Sequence, residues 1–412
     1  MERSPLPSPG WWLATVVLVT LNLRPFLTAI GPLAPAIEAH TGMSLQALAW
    51  LTMLPMALMG AGTWLAPAVL RRLGERPAMT LALALIALGC ALRLVALLPA
   101  LLIGTAALCG AGVALVQGML PGLIKLHTPR RVAPMMGLYS ASLMVGGAFG
   151  AQLSPLAMRW GLGWQAALAL WAAPALLALG LAWHTLGAMA RHAAPGSASG
   201  ADTGWLLRRG RSWLLVVTFG LMNGGYAIVV AWLAPHYQEL GWSAPSSGLL
   251  VAVLSLAQAA AALTLPALAA RRLDRRPWMW FALGCQALGF AMLAWRPLAA
   301  PMATAIVLGI GLGGCFALIM VVALDHLHQP QQAGALNALM QGGGFIIAAL
   351  APWVMAGLHQ ITGGFNAGWL TQFGAVLVVA ALVTRLAPAH YDRVMRAPAA
   401  PHADQRAAEP TP

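Results

Sequence analysis

Acidic residues are scarce in this chain of 412 residues: there are ten Asp and Glu in all, and none lies inside its long apolar runs. That absence argues against a carboxylate proton relay at mid-membrane depth. Charge of either sign is low, 8% of residues against 60% hydrophobic, too little to cover a soluble protein of this length. The four cysteines, Cys90, Cys109, Cys285 and Cys315, all fall in apolar runs and form neither a disulfide framework nor a metal motif. No Gly-x-x-x-x-Gly-Lys-Ser/Thr loop is present, which argues against direct use of ATP, and no His-Glu-x-x-His pattern suggests a metalloenzyme. No catalytic residue, metal or cofactor is expected.

What remains is a series of apolar segments. Twelve are long enough to cross a hydrocarbon core about 30 Å thick: 11–37, 46–70, 78–98, 100–124, 132–157, 164–187, 213–237, 245–270, 278–298, 300–324, 333–358 and 366–387. The expected fold is an all-α, multi-pass membrane protein. The first run is too long for the apolar core of a cleaved signal peptide and is interrupted by Arg24, so it is expected to be a span.

The net charge of +13 reflects topology. Of 23 Lys and Arg residues, 19 lie in the N-terminus, in the loops after spans 2, 4, 6 and 8, or at the C-terminal end. Arg93, Arg159 and Arg296 lie toward the opposite side, and Arg24 lies within span 1. This positive-inside pattern predicts both termini in the cytoplasm. The basic loops are expected to meet anionic lipid headgroups, and no basic patch interleaved with aromatics points to nucleic acid.

The chain repeats itself at an offset near 200. Leu33-Ala34-Pro35 returns as Leu233-Ala234-Pro235, and Arg71-Arg72-Leu73 with Arg76-Pro77 returns as Arg271-Arg272-Leu273 with Arg276-Pro277. Asn22 is matched by Asn223, and Leu126-His127-Thr128-Pro129 by Leu327-His328-Gln329-Pro330. Four matches in order imply two homologous halves. Six spans each is an even number, so the halves enter the membrane in the same direction, the two-domain arrangement of the major facilitator superfamily. The expected division is a first bundle over 1–187, a flexible cytoplasmic linker over 188–211, a second bundle over 212–387 and a disordered tail over 388–412. The basic loops resemble that superfamily's signature between spans 2 and 3, but Gly74-Glu75 stands where the aspartate belongs, and Asp274 is the nearest acid in the second copy. Arg71, Arg72, Arg271 and Arg272 are candidate gating residues or simply topogenic ones. Lys125 and Asp325, at equivalent ends of spans 4 and 10, are a candidate ion pair across the cytoplasmic gate.

Arg24 is the most informative residue. An arginine at the centre of a span costs about 2.5–3.5 kcal/mol on insertion scales. A guanidinium facing a polar cavity, with no buried counter-ion in the sequence, suits a small anion. Pro25 follows directly and should bend or open the helix at that depth, as discontinuous helices at transporter sites do. Other polar residues at mid-span depth are Asn22 and Thr28 in span 1, Gln117 in span 4, and Tyr139, Ser140, Ser142 and Gln152 in span 5. The second half adds Asn223, Tyr226 and Trp232 in span 7, Ser255 and Gln258 in span 8, and Asn337 and Gln341 in span 11. The candidate binding set is Arg24, Asn22, Thr28, Gln117, Asn223, Tyr226, Trp232, Gln258 and Gln341. Glycines four apart, Gly146 with Gly150 and Gly309 with Gly313, make helix faces for close approach, either as sliding contacts between bundles or as static packing.

Four runs carry a more specific resemblance. They are Leu21-Asn22-Leu23-Arg24-Pro25 with Thr28 and Gly31-Pro32-Leu33; Asn223-Gly224-Gly225-Tyr226 with Ala231-Trp232-Leu233; Ala323-Leu324-Asp325-His326; and Met340-Gln341-Gly342 with Gly344-Phe345-Ile346-Ile347-Ala348. In these the chain resembles the cyanate permease group of the major facilitator superfamily, which includes nitroimidazole-type exporters. The resemblance implies a carrier in a bacterial inner membrane, moving cyanate inward; the expected state is a monomer. The alternatives are another small anion, export of a small polar heteroaromatic stacked on Tyr226 and Trp232, or a sensor that binds without translocating. Nitrate carriers of the superfamily have a membrane arginine in each half, whereas this chain has one.

Overall fold

The computed structural model describes residues 9–128, 132–190, 204–269, 272–328 and 330–395. The first apolar run is built as three helices, α1 (Pro9–Leu21), α2 (Pro25–Thr28) and α3 (Ile30–Thr41). Runs two to five form α4 (Leu45–Leu73), α5 (Glu75–Leu92), α6 (Pro99–His127) and α7 (Val132–Arg159). The sixth is divided between α8 (Trp164–Ala169) and α9 (Ala172–Ala190). In the second half each span is one helix: α10 (Gly210–Glu239), α11 (Ala244–Ala269), α12 (Arg276–Trp295), α13 (Pro301–Asp325), α14 (Pro330–Thr362) and α15 (Asn366–Val383).

Eleven of the twelve spans are long and apolar enough to cross a membrane when judged by hydropathy. The other, α7, has the length, 28 residues, but its glycines, serines and Gln152 lower its hydropathy. It tolerates them because its neighbours are protein: α1 and α2 from its own half and α11 from the other. Inside the first bundle α6 packs on α4 and α5, and α9 on α5 and α1; in the second, α13 packs on α11 and α12, and α15 on α12 and α10. The halves meet chiefly through α4 with α14, α7 with α11, and α3 with α10.

Two segments differ from expectation. Part of the linker, 191–203, lies outside the described residues, but Gly204–Arg208 forms a 3₁₀ turn with Leu206 buried. Of the tail expected to be disordered, 388–395 is ordered: a 3₁₀ turn at Pro388–His390 leads into α16 (Tyr391–Val394). The Tyr391 ring stacks on His326 with centroids 3.8 Å apart, and Tyr391 and Met395 are buried. That apolar burial anchors a segment whose Pro, Ala and His content reads as unstructured. Residues 396–412 lie outside the described set.

Candidate functional site

The helix opens where Pro25 predicts. α1 ends at Leu21, tight turns carry the amides of Asn22 and Leu23 back to the carbonyls of Val19 and Thr20, and Arg24 stands at the start of α2 with φ −122°. The break is seated on the glycine face of α7. A side chain at Gly146 would strike the carbonyl oxygen of Leu21, which Pro25 leaves without its helical partner. A Cβ at Gly150 would lie 2.5 Å from Pro25 Cα and 2.6 Å from its oxygen. The Thr28 hydroxyl donates to the Gly147 carbonyl at 2.8 Å. Gly309 and Gly313 do the same for the second half, admitting the backbone of α11 at Leu254 and Gln258. Both stripes are therefore static packing within a bundle. The glycines that meet across the halves are others, among them Gly60 against the backbone of Gly342 and Gly248 against that of Ala151.

Arg24 projects from the break into a small cavity. Asn223 and Tyr226 of α10, Ser255 and Gln258 of α11, and Gly147 of α7 share its lining. Leu143, Met144, Leu312 and Phe316 supply an apolar wall. The cavity thus draws on both halves. Arg24 is only 4% exposed, with its Cζ 4.8 Å from the centroid of the Tyr226 ring. Its Nε and Nη1 are buried without a hydrogen-bond partner. Among the described residues no carboxylate forms an ion pair with it. A cation–π contact is worth about 2 kcal/mol when desolvated, well short of the several kcal/mol of burying an ion, so the guanidinium retains an unmet demand for negative charge.

Of the nine residues singled out from sequence, Arg24, Asn223, Tyr226 and Gln258 meet at this cavity. The other five do not line it. Asn22 turns toward α9, donating to the carbonyls of Leu18 at 2.7 Å and Pro174 at 3.1 Å, so it ties down the frayed end of α1. Thr28 is held by Gly147 as above. The Trp232 indole donates to the Pro352 carbonyl at 3.0 Å and its ring packs on Phe365 inside the second bundle. Gln117 on α6 lies near Tyr139, which in turn feels the charge of Arg24. Gln341 on α14 is half-buried. Ser255 carries only its mid-span polarity as a signal, and Gly147, Leu143, Met144, Leu312 and Phe316 carry none, being small or apolar residues in apolar helices. Arg93, at the end of α5, is fully buried and donates to the Phe26 carbonyl at 2.9 Å.

On the face opposite the termini, Gly31 sits against the carbonyls of Val230 and Ala231, and Gln238 donates to the Pro32 carbonyl at 3.0 Å and to Ser247 at 2.7 Å. These contacts seal the halves beneath a vestibule lined by Glu38 and Glu239. On the face of the termini, Glu75 lies 2.8 Å from His127, Asp274 pairs with Arg276 at 2.8 Å, and Asp325 with Arg275 at 3.2 Å. The Arg276 hydrogen bonds hold the Asp274 carboxyl below its ordinary range. The second signature loop therefore uses Arg275 and Arg276, while Arg72 and Arg272 are exposed. Arg271 and the side chains of Arg71 and Lys125 lie outside the described residues, and Asp325 engages Arg275 of its own half.

Comparison with known proteins agrees with this architecture. The chain matches the Major Facilitator Superfamily over residues 16–352 and 238–409. It is 41% identical to the cyanate transport protein CynX of Escherichia coli over 93% of this chain and 98% of that protein. It is 30% identical to the 2-nitroimidazole transporter of the same organism over 86% of this chain and 89% of that one. Among solved structures, the D-xylose–proton symporter superposes with a TM-score of 0.74 at 15% identity, covering 92% of this chain and 98% of that one. A bacterial homologue of the human lysosomal transporter Spinster superposes with a TM-score of 0.75 at 16% identity, covering 95% and 100%. These likenesses establish the fold, and with the sequence matches they establish that this multi-pass membrane protein is a transporter belonging to the Major Facilitator Superfamily.

Proposed function

We propose that this protein carries a small monoanion, cyanate first among candidates, across a bacterial inner membrane by alternating access, with both termini in the cytoplasm. The observation that carries the reading is the uncompensated guanidinium of Arg24, buried at a cavity to which both halves contribute. A ligand touching Arg24 from one half and Asn223, Tyr226 or Gln258 from the other would couple binding to the relative position of the halves. One cation matches one negative charge, and the apolar wall of Leu143, Met144, Leu312 and Phe316 favours an anion that sheds water easily. The 41% identity to a cyanate transport protein supports the choice of solute. Inward movement of an anion against an inside-negative potential costs about 2.3 kcal/mol per 100 mV, so uptake requires exchange, a co-transported cation or consumption inside.

A second reading, export of a small nitro-heteroaromatic, draws on the aromatic rings of Tyr226 and Phe316 in the same cavity. Its stacking partner from sequence, Trp232, is committed elsewhere. Labelled cyanate and labelled 2-nitroimidazole, offered in turn to proteoliposomes under gradients of both signs, separate the two. Saturable cyanate accumulation supports the first. Flux of the heteroaromatic with none of cyanate overturns it.

A further inference from the structure

Arg93 is a second buried arginine in the same bundle, outside the cavity lining. It follows α5 in a 3₁₀ turn at Arg93–Val95 and has no exposed surface. Its Nη1 donates to the Phe26 carbonyl at 2.9 Å, and its Cζ lies 5.8 Å from the Phe26 ring. Nε and Nη2 are buried with no partner. Among the described residues no carboxylate pairs with it.

Phe26 lies two residues from Arg24, inside the single turn of α2. A one-turn helix has no interior, so its carbonyls are terminal and short of amide partners. A cation at a helix C-terminus meets that need and is favoured there by the local dipole. The segment carrying Arg24 is thus held from two sides. α7 supports it through Gly146, Gly150 and the Thr28–Gly147 hydrogen bond, and Arg93 grips it from α5. An arginine retained there, two of its nitrogens unsatisfied, adds positive potential to the region where Arg24 awaits an anion.

We propose that Arg93 is a positioning residue for the anion site: by holding the Phe26 carbonyl it fixes the direction in which Arg24 faces the cavity, and its uncompensated charge strengthens the hold on the anion. This rests on the anion-carrier reading. The test compares Arg93→Gln and Arg93→Lys with the wild type in proteoliposomes, measuring KM and maximal rate for labelled cyanate. A cryo-EM structure of Arg93→Gln gives the Arg24–Tyr226 separation. Arg93→Gln is expected to raise KM about tenfold or more with little change in maximal rate, while Arg93→Lys, which keeps the charge and a donor, stays within about threefold. In the Gln variant Arg24 is expected to leave the roughly 6 Å range of the Tyr226 ring. A folded Gln variant with wild-type KM, or with Arg24 still stacked on Tyr226, overturns the proposal. If the Gln variant does not fold, the Lys variant decides: a modest rise in KM alone supports the role, and an equal loss of rate and affinity overturns it. Wild type that accumulates no cyanate overturns the carrier reading, and the position of Arg24 in the Gln variant still decides whether Arg93 positions it.

Discussion

Adding one methyl group at Gly150 should impair solute binding from outside the cavity. Gly150 does not line that cavity, yet its ideal Cβ would sit 2.5 Å from Pro25 Cα and 2.6 Å from Pro25 O, and also against the Thr28 hydroxyl. Ordinary carbon contacts are about 3.5–4.0 Å, so the segment must retreat by about 1 Å. It has little freedom to do so by rotation, because two of the three obstructing atoms are backbone and the third is hydrogen-bonded through Thr28 to Gly147. Overpacking of this kind typically costs about 1–3 kcal/mol, against about 1 kcal/mol gained when alanine replaces a helical glycine. Gly150→Ala should therefore lower thermal stability modestly. By moving Arg24, the neighbour of Pro25, it should weaken apparent affinity about tenfold. Gly104→Ala and Gly180→Ala are the controls, since nothing lies within 4 Å of an added Cβ at either. Melting in detergent and uptake KM in proteoliposomes measure both effects. A Gly150→Ala protein with wild-type stability and KM would refute the claim that α7 seats the break.

Tyr226→Leu should raise KM by about tenfold through loss of a cation–π contact worth roughly 1–2 kcal/mol, whereas Tyr226→Phe, which keeps the ring face, should stay within about threefold; uptake titrations decide. Gln238→Ala removes the hydrogen bond to Pro32 that joins the halves, worth about 1 kcal/mol. A thiol probe applied from that side should then label an Ala34→Cys reporter roughly fivefold faster, and an unchanged rate contradicts the seal. His326 donates from Nδ1 to the Val322 carbonyl and leaves Nε2 buried without a partner, so burial pushes its pKa down to about 4. Above the unfolded value near 6.5 the ring is neutral in both states and nothing is lost; as pH falls from there toward 4 the unfolded ring takes up the proton first, and stability drops by up to about 3 kcal/mol. Amide exchange over 391–395 should quicken across that window, with His326→Asn flattening the response.

Arg24 and Pro25 were legible because each is costly inside a membrane span, and the structure puts the break at that pair. The repeat was legible because arginine and proline runs resist chance repetition, and the matched superfamily agrees with it. Side-chain direction was not. Asn22, two residues from Arg24, points to Pro174 because the chain turns tightly between them, a rotation that depth alone does not encode. Trp232 lies six residues beyond Tyr226 on α10 but faces the interior of the second bundle. Phe316 and Met144 line the cavity yet resemble every other apolar residue of their helices. The sequence places Arg93 toward the face opposite the termini, but its burial against a carbonyl exposed by a distant helix break carries no sequence signal.

The most direct test of the central claim is uptake of labelled cyanate by proteoliposomes holding the wild type beside an equal amount of correctly inserted Arg24→Gln. The account predicts saturable accumulation in the wild type and its loss in the variant, which keeps hydrogen-bond donors at the cavity but removes the one cation among the described residues of its lining. Equal saturable uptake by both would contradict it and leave Arg24 a structural residue.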